Sequence, residues 1–223
     1  MTAVIAAMDN EVELLKKAAK DAKVRTVAGV ECLVCKINGK DVVVIKSGIG
    51  KAAAACATAI ALSEFGADAV INTGLCAGTC GIGTIIVADK CVQHDFDATA
   101  DGLTLGQVAG FDSPYFAADK SITQTMTRSL KNGGAAYVVG TIASGDRFVA
   151  DREAMKNICE QFGAVGVEME SGAVAQICTA AGVPFAVLRC VSDGGDSVRD
   201  YYEFSRLACE RFTAAVLDFL RET

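Results

Sequence analysis

Residues 185–195 most narrowly limit the folds open to this chain. They read Phe-Ala-Val-Leu-Arg-Cys-Val-Ser-Asp-Gly-Gly, a nearly continuous apolar run that ends in a carboxylate and two glycines. Runs of this kind are typical of parallel strands that are covered by helices on both faces. In an open α/β sheet, ligands bind outside the carboxyl ends of such strands. The segment therefore predicts a central strand and a functional position at Asp193.

A second apolar segment, residues 165–171, runs from a buried strand into a helix. The helix is predicted over residues 173–181, and Glu168 and Glu170 lie at the junction. We expect these two side chains to point to opposite sides of the turn and to have separate roles. Both could instead cap the helix, because its N-terminus favours negative charge.

Apolar strand segments alternate with helical segments along the rest of the chain. Further strands are predicted at residues 3–7, 30–37, 42–45, 69–72, 84–87 and 138–142, and further helices at 52–64, 151–162 and 201–220. Asn38-Gly39 is a strong signal for a hairpin between two of these strands. The pattern predicts one α/β domain over residues 1–223, a three-layer αβα sandwich with a mixed, mostly parallel twisted sheet.

The composition argues against several classes of protein. The chain has 223 residues, 52% of them hydrophobic, with a formal net charge of −6 and a pI near 4.9. This charge offers no electrostatic surface for nucleic acid or an anionic membrane. We find no basic N-terminal leader and no run of about eighteen apolar residues. A soluble, cytoplasmic protein is expected.

Ten cysteines and one histidine do not form a recognisable metal or nucleophile motif. Cys32 and Cys35 form a CxxC, but it lies in a predicted strand and no second pair completes four zinc ligands. Most of the cysteines lie in apolar segments and are expected to pack as small hydrophobic residues. Cys76 and Cys80 lie in a glycine-rich segment and are predicted to be exposed thiols. His94 is interpreted as structural or site-lining rather than catalytic.

Three carboxylates, those of Glu11, Glu170 and Asp193, follow predicted strands in different parts of the chain. The carboxyl ends of parallel strands meet in one crevice, so we expect the three to converge. A desolvated carboxyl group can donate a proton while a second one activates water, and hydrolysis of a glycosidic bond requires this pairing. The candidate reaction is hydrolysis of a sugar–base bond. For Glu11 the alternative is stabilisation of a helix N-terminus, with Asp9 or Asn10 as the N-cap.

Several loops are candidate walls of this crevice. Residues 46–51 contain a GxGK turn that leads into a helix, which is weak support for an anion site. Residues 73–81 are small enough to let a ligand approach the backbone. Phe148 could stack on a planar ligand or pack in the core. Residues 98–116 show no clear periodicity of hydrophobic residues, which predicts a long functional or interfacial loop.

Six blocks of sequence together resemble the 5′-methylthioadenosine/S-adenosylhomocysteine nucleosidases of the purine nucleoside phosphorylase superfamily, and the resemblance covers nearly the whole chain. The blocks are residues 7–12, 46–51, 72–74, 144–148, 167–170 and 189–193. The resemblance implies a nucleoside phosphorylase-like fold, a homodimer, and release of adenine from a 5′-substituted adenosine by water without a cofactor.

The same resemblance implies catalytic roles for individual residues. Asp193 would donate a proton to purine N7, with Ser192 orienting it. Glu11 would position and activate the attacking water. Glu170 would accept hydrogen bonds from the ribose 2′- and 3′-hydroxyls, with Met169 packed under the sugar.

Substrate-binding roles follow in the same way. Phe148 would stack on adenine, and the backbone of Val149 would contact its amino edge. Ile49 and Tyr201 would line the pocket for the 5′-substituent, and residues 106–110 would reach the pocket of a neighbouring subunit. The predicted substrate-binding set is completed by Ala7, Met8 and Gly78.

Two features bear on the choice of reaction and substrate. The first arginine of the chain is Arg25, so the early strand–helix turn carries Glu11 where phosphorolytic relatives would place a phosphate-binding arginine, and hydrolysis is favoured. An aspartate rather than an asparagine at position 193 resembles the branch of the superfamily that is selective for 6-aminopurines. Loops 75–83 and 194–201 look shortened, which affects the expected 5′-group. The alternatives are an aminofutalosine-type nucleosidase, a phosphorylase and a non-catalytic storage or binding protein.

Overall fold

The computed structural model describes residues 1–194 and 198–222. These residues form ten strands, β1 (Thr2–Ala6), β2 (Lys20–Val27), β3 (Val30–Ile37), β4 (Lys40–Lys46), β5 (Ala69–Gly78), β6 (Ile85–Gln93), β7 (Tyr115–Ala117), β8 (Tyr137–Ser144), β9 (Ala164–Glu168) and β10 (Phe185–Asp193). They also form six α-helices, α1 (Asp9–Ala18), α2 (Lys51–Phe65), α3 (Lys120–Asn132), α4 (Arg152–Phe162), α5 (Ser171–Ala181) and α6 (Val198–Glu222), and a short 3-10 helix at Thr99–Asp101.

The ten strands form one sheet, which confirms the predicted α/β class. Its order is β10-β6-β8-β9-β5-β1-β4-β3-β2, with β7 alongside β6. The long strand β5 pairs with β1 through its first half, with β9 at Ala77 and Gly78, and with β10 along its other edge. Because β10 also pairs with β6, five strands close into a ring, and β1, β4, β3 and β2 extend from it.

The sheet is mixed, as predicted, but less parallel than we expected. Five of the described pairings are parallel and five are antiparallel. The predicted hairpin joins β3 to β4, and Asn38 and Gly39 both have the positive φ values that such a two-residue turn requires.

Helices cover both faces of the sheet and give two main hydrophobic cores. One core lies under α2 and α5 and contains Ala57, Val174 and Cys178. The other lies under α1, α3 and α6 and contains Leu15 and Phe212. This arrangement gives the predicted three layers, because each apolar face of the sheet is covered.

Some elements differ from the sequence prediction. The segment from Thr73 to Gly78, predicted as a loop, continues β5, because partner strands on both edges outweigh the low strand propensity of its glycines. The edge strand β2 and helix α3 were not predicted. Nearly every residue of β2 is exposed, so it carries no alternation of apolar residues.

The cysteines do not pair. Cys32 and Cys35 are both buried in β3 but belong to cores on opposite faces of the sheet, so they cannot ligate one ion. The prediction that Cys76 is exposed is wrong, because Cys76 lies within β5 and is buried. Within residues 1–194 and 198–222, no helix has the length and apolar character needed to span a membrane.

Candidate active site

A cleft of about 590 Å³, its open mouth included, lies at the carboxyl ends of β1, β5, β9 and β10. Ten of the predicted site residues line it, namely Ala7, Met8, Glu11, Ile49, Phe148, Val149, Met169, Glu170, Ser192 and Asp193. The cleft therefore brings together residues from five separate parts of the chain.

Glu11 is held at the floor of the cleft by backbone donors from two elements. Its Oε2 accepts hydrogen bonds from the N–H groups of Ala7 at 2.8 Å and Met8 at 2.9 Å. Its Oε1 accepts one from the N–H of Leu75 at 3.0 Å. Burial raises the pKa of Glu11, and the Arg189 charge and these backbone bonds offset part of the rise. Met8, not Asp9 or Asn10, is the N-cap of α1.

Glu168 has a structural set of partners. It accepts hydrogen bonds from the backbone N–H groups of Glu170 at 3.0 Å and Ser171 at 3.0 and 3.1 Å, which satisfies donors at the start of α5. It also contacts the hydroxyl of Ser144 and forms an ion pair with Arg189. The helix-capping interpretation is therefore confirmed for Glu168.

We expected Glu168 and Glu170 to point to opposite sides of the turn, but they do not. Both line the cleft, and Nη2 of Arg189 contacts both. The chain bends at residues 169 and 170 between β9 and α5, so the alternation expected of a strand does not apply to this pair. Glu170 accepts a hydrogen bond from the N–H of Gly50 at 2.9 Å, and its Oε2 lies 3.6 Å from Arg189.

Arg189 is the site residue that sequence reasoning missed. It is 1% exposed, and its guanidinium donates to Oδ1 of Asn72 at 2.6 Å and to Oγ of Ser171 at 2.9 Å. Burial alone would lower its pKa, but the charges of Glu168 and Glu170 outweigh burial and raise it. An arginine inside an apolar strand was the available signal, because a buried cation needs anionic partners.

Gly74 is required where Glu11 and Arg189 approach each other. A Cβ atom at this position would lie 2.7 Å from Oε1 of Glu11 and would overlap Nη1 of Arg189. The absence of a side chain in the middle of β5 thus makes room for the two charged groups at the floor of the cleft.

Asp193 and Ser192 lie at a register shift of β10. The pairing with β5 shifts between Val191 and Asp193, an irregularity of the type that redirects side chains near sites. The Ser192 hydroxyl lies 2.9 Å from Oδ2 of Asp193 and 3.2 Å from the carbonyl oxygen of Cys76. Both side chains are buried. This geometry allows Ser192 to orient the Asp193 carboxyl group.

The rim of the cleft is apolar and open. Ile49 is 59% exposed and Phe148 is 53% exposed, whereas Val149 is buried. Exposed apolar side chains at a cleft mouth are suited to contact with a ligand or another chain.

Among the predicted site residues whose side chains or backbone the structure describes, Gly78 does not line the cleft. Gly78 pairs with Gly166, and a Cβ there would contact Val191, so it serves packing of the strands. Loop 106–110 packs against β6 and α4 through Gly106. Tyr201 lies in α6, and its side chain is outside the described part of the structure, as are residues 195–197 of the loop predicted to be shortened.

A change of pH should reveal the buried charge of Glu170. Burial, together with the Glu168 charge, raises the pKa of Glu170 to about 7, against about 4.3 in an unfolded chain. Between these values the folded protein keeps a proton that the unfolded chain has released. The free energy of unfolding therefore falls as pH rises through this window, and the loss is complete above it.

Glu170→Gln should remove this effect while keeping an acceptor for the N–H of Gly50. We expect the unfolding free energy of the variant, relative to the wild type, to be higher at about pH 8 than at about pH 5 by about 1–3 kcal/mol. Urea titrations at both pH values measure it. The control variant Glu13→Gln changes an exposed residue paired with Lys17. Its unfolding free energy, relative to the wild type, should be the same at both pH values. Equal behaviour of the two variants would contradict the assignment.

The ring of strands and the acidic cleft are features of an α/β protein, and the sequence places this protein in a known family. Residues 2–221 match the family model described as phosphorylase superfamily. A 5′-methylthioadenosine/S-adenosylhomocysteine nucleosidase of Lysinibacillus sphaericus is 39% identical over 222 residues, covering 96% of each chain. This chain thus belongs to the 5′-methylthioadenosine/S-adenosylhomocysteine nucleosidase family of the phosphorylase superfamily.

Solved structures give the same result. The nucleosidase of this family from Neisseria meningitidis, in complex with methylthio-immucillin-A, aligns with a TM-score of 0.96 at 35% identity, covering 100% of this chain and 99% of that one. The futalosine hydrolase of Helicobacter pylori aligns with a TM-score of 0.95 at 25% identity, covering 100% and 97%. The fold is thus shared by proteins named for two different nucleosides.

Proposed function

We propose that this protein hydrolyses the N-glycosidic bond of 5′-methylthioadenosine and S-adenosylhomocysteine, releasing adenine and the thio-ribose product. The observation that carries the proposal is the convergence of Glu11, Glu170 and Asp193 in one cleft of a chain that belongs to this family. Three carboxyl groups with different partners can divide the acid, base and sugar-binding roles that the reaction needs.

In the proposed mechanism, the carboxyl group of Asp193 donates a proton to N7 of adenine. The bond between C1′ and N9 breaks, its electron pair goes to the base, and protonation at N7 makes adenine a better leaving group. Ser192, 2.9 Å from Asp193, orients the donor. The sugar that remains has oxocarbenium character and carries positive charge.

Glu11 and Glu170 act on the sugar side of the bond. Glu11, fixed by three backbone N–H donors, takes a proton from water as the water oxygen bonds to C1′. Glu170 accepts hydrogen bonds from the 2′- and 3′-hydroxyls, and these bonds strengthen as the sugar becomes cationic. Met169 packs under the sugar, Phe148 stacks on the base, and the 5′-group lies toward Ile49.

The charges of the cleft support water rather than phosphate as the nucleophile. Among the lining residues that the structure describes, Arg189 and Arg147 are the cationic ones. Arg189 is engaged by Glu168 and Glu170, and Arg147 is exposed. Among the described residues, the cleft floor thus offers buried carboxylates and no unpaired cation, which disfavours binding of phosphate.

We further propose a homodimer that acts in the cytoplasm, in methionine salvage. Support for the dimer comes from the exposed apolar side chains of Ile49 and Phe148, which loop 106–110 of a second copy would cover. Light scattering coupled to size-exclusion chromatography tests the dimer, and a monomer at working concentrations would contradict it.

Adenine release from methylthioadenosine tests the reaction. The purified protein is assayed in phosphate-free buffer and again with phosphate added. We expect equal release in both, with free methylthioribose as the product. Release that depends on phosphate and yields a sugar phosphate would identify a phosphorylase, and absence of release in both would favour a binding protein. The Helicobacter pylori structure suggests an aminofutalosine-type nucleosidase as the rival function. Turnover of aminofutalosine in competition with methylthioadenosine distinguishes the two activities.

A further inference from the structure

Three charged residues outside the reaction chemistry form a closed ring of contacts beside the cleft. Lys51 Nζ lies 2.5 Å from Oδ1 of Asp95. The other oxygen of Asp95 accepts a hydrogen bond from the backbone N–H of Asp146 at 2.8 Å. Oδ1 of Asp146 accepts one from the backbone N–H of Lys51 at 2.7 Å. We call Lys51, Asp95 and Asp146 the Asp95 bridge.

The bridge connects the two loops that carry the rim of the cleft. In one loop, Ile49 lines the cleft and Gly50 donates its N–H to Glu170 at 2.9 Å. In the other loop, Phe148 lines the cleft two residues after Asp146. The bridge can thus set the distance between the two walls of the cleft, one carrying Ile49 and the other Phe148.

Two glycines permit the close approach of these loops. A Cβ at Gly50 would lie 3.0 Å from Oδ1 of Asp146, and the φ of Gly50 is +99°. A Cβ at Gly145 would lie 2.5 Å from Cε1 of His94 and 3.0 Å from Cγ of Asp95. Side chains at either glycine would push the loops apart, so the contact depends on residues from both loops and from the end of β6.

The bridge differs from an ordinary surface ion pair. The side chain of Lys51 is 17% exposed and that of Asp95 is 31% exposed. Burial alone would raise the pKa of Asp95, but hydrogen bonds from Lys51 and from the N–H of Asp146 outweigh it and lower the pKa. Asp95 is therefore a carboxylate at neutral pH, with one oxygen for each loop.

We propose that Asp95 is a positioning residue that holds the Ile49 and Phe148 walls at the separation needed to bind the nucleoside. It acts through Lys51 and Asp146 and touches no reacting atom. Its loss should weaken substrate binding and leave bond cleavage nearly unchanged, because Glu11 and Asp193 are held by other contacts. The inference rests on the proposed nucleosidase function.

Steady-state kinetics of bridge variants test this inference. Asp95→Ala should raise KM for methylthioadenosine about tenfold while kcat changes by less than about twofold. Lys51→Met should give the same split, and the double variant should be little worse than either single one, because both act through one contact. Asp95→Asn keeps an acceptor for the N–H of Asp146 and should give an intermediate KM.

Asp97→Ala is the matched control. Asp97 lies two residues from Asp95, but its carboxylate accepts hydrogen bonds from the N–H and hydroxyl of Thr99 within the same turn. This variant should keep the wild-type KM. A fall in kcat at constant KM in Asp95→Ala, an unchanged KM with only a lower melting temperature, or additive effects in the double variant would overturn the inference.

Calorimetric titration with adenine separates failure of this inference from failure of the proposed function. If the wild type cleaves methylthioadenosine and Asp95→Ala has the same KM, the inference fails and the function stands. If the wild type binds adenine without cleaving nucleosides, the function fails, and about tenfold weaker adenine binding by Asp95→Ala supports the inference. A wild type that neither cleaves nor binds overturns both.

Discussion

Replacing Asp193 with asparagine is expected to lower kcat/KM for methylthioadenosine by about 10³-fold. The amide has the shape of the carboxyl group and can still contact the Ser192 hydroxyl, 2.9 Å away in the wild type. It cannot supply the proton that adenine needs to leave. The loss should therefore arise in the chemical step, with the fold intact, and should appear in kcat rather than in KM.

Single-turnover assays and thermal unfolding together give the measurement. Asp41→Asn, at an exposed aspartate paired with Lys36 far from the cleft, is the matched control and should retain full activity. Ser192→Ala should lose less activity than Asp193→Asn, because it removes only the orienting contact. A loss of less than about tenfold in Asp193→Asn would show that Asp193 is not the proton donor.

Replacing Arg189 with methionine is expected to lower the free energy of unfolding by about 3–5 kcal/mol at neutral pH. The change removes the cation that pairs with Glu168 and Glu170 and donates to Asn72 and Ser171. Two buried carboxylates would then face each other without a counter-charge, and a buried unpaired charge is strongly unfavourable.

Chemical denaturation of Arg189→Met at two pH values tests this expectation. The loss should be smaller at about pH 5 than at about pH 8, because Glu170, whose pKa is raised to about 7, is then protonated and no longer repels Glu168. Adding Glu168→Gln should restore part of the stability. Arg221→Met removes an exposed pair with Asp218 and should change stability by less than about 1 kcal/mol. Similar losses in Arg189→Met and Arg221→Met would contradict a central role for Arg189.

Most of the sheet could be predicted from the sequence because buried strands consist of runs of apolar residues. Residues 30–37 were predicted with the bounds that β3 has, and the apolar run at 185–195 contains the whole of β10. The strand β2 could not be found in this way, because it is an exposed edge strand whose order depends on pairing with β3. The extension of β5 through Gly78 likewise depends on its partner strands.

The location of the candidate site was predictable for a related reason. Polar residues at the carboxyl ends of apolar strands are conspicuous, and the sheet brings such ends together. Glu11, Glu170 and Asp193 were found from that pattern, and all three line the cleft. Arg189 was overlooked because its significance lies in partners such as Asn72, 117 residues away along the chain.

The sequence by itself determined which segments form the buried strands, which acidic residues stand at their ends, and to which family the chain is similar. Only the tertiary structure decided how those acids differ. Glu168 is paired with Arg189 and caps α5, whereas Glu170 is held by Gly50, 120 residues away, and Glu11 by Leu75, 64 residues away. The physical reason is that burial and neighbouring charge set the state of a carboxyl group, and both depend on contacts between distant parts of the chain.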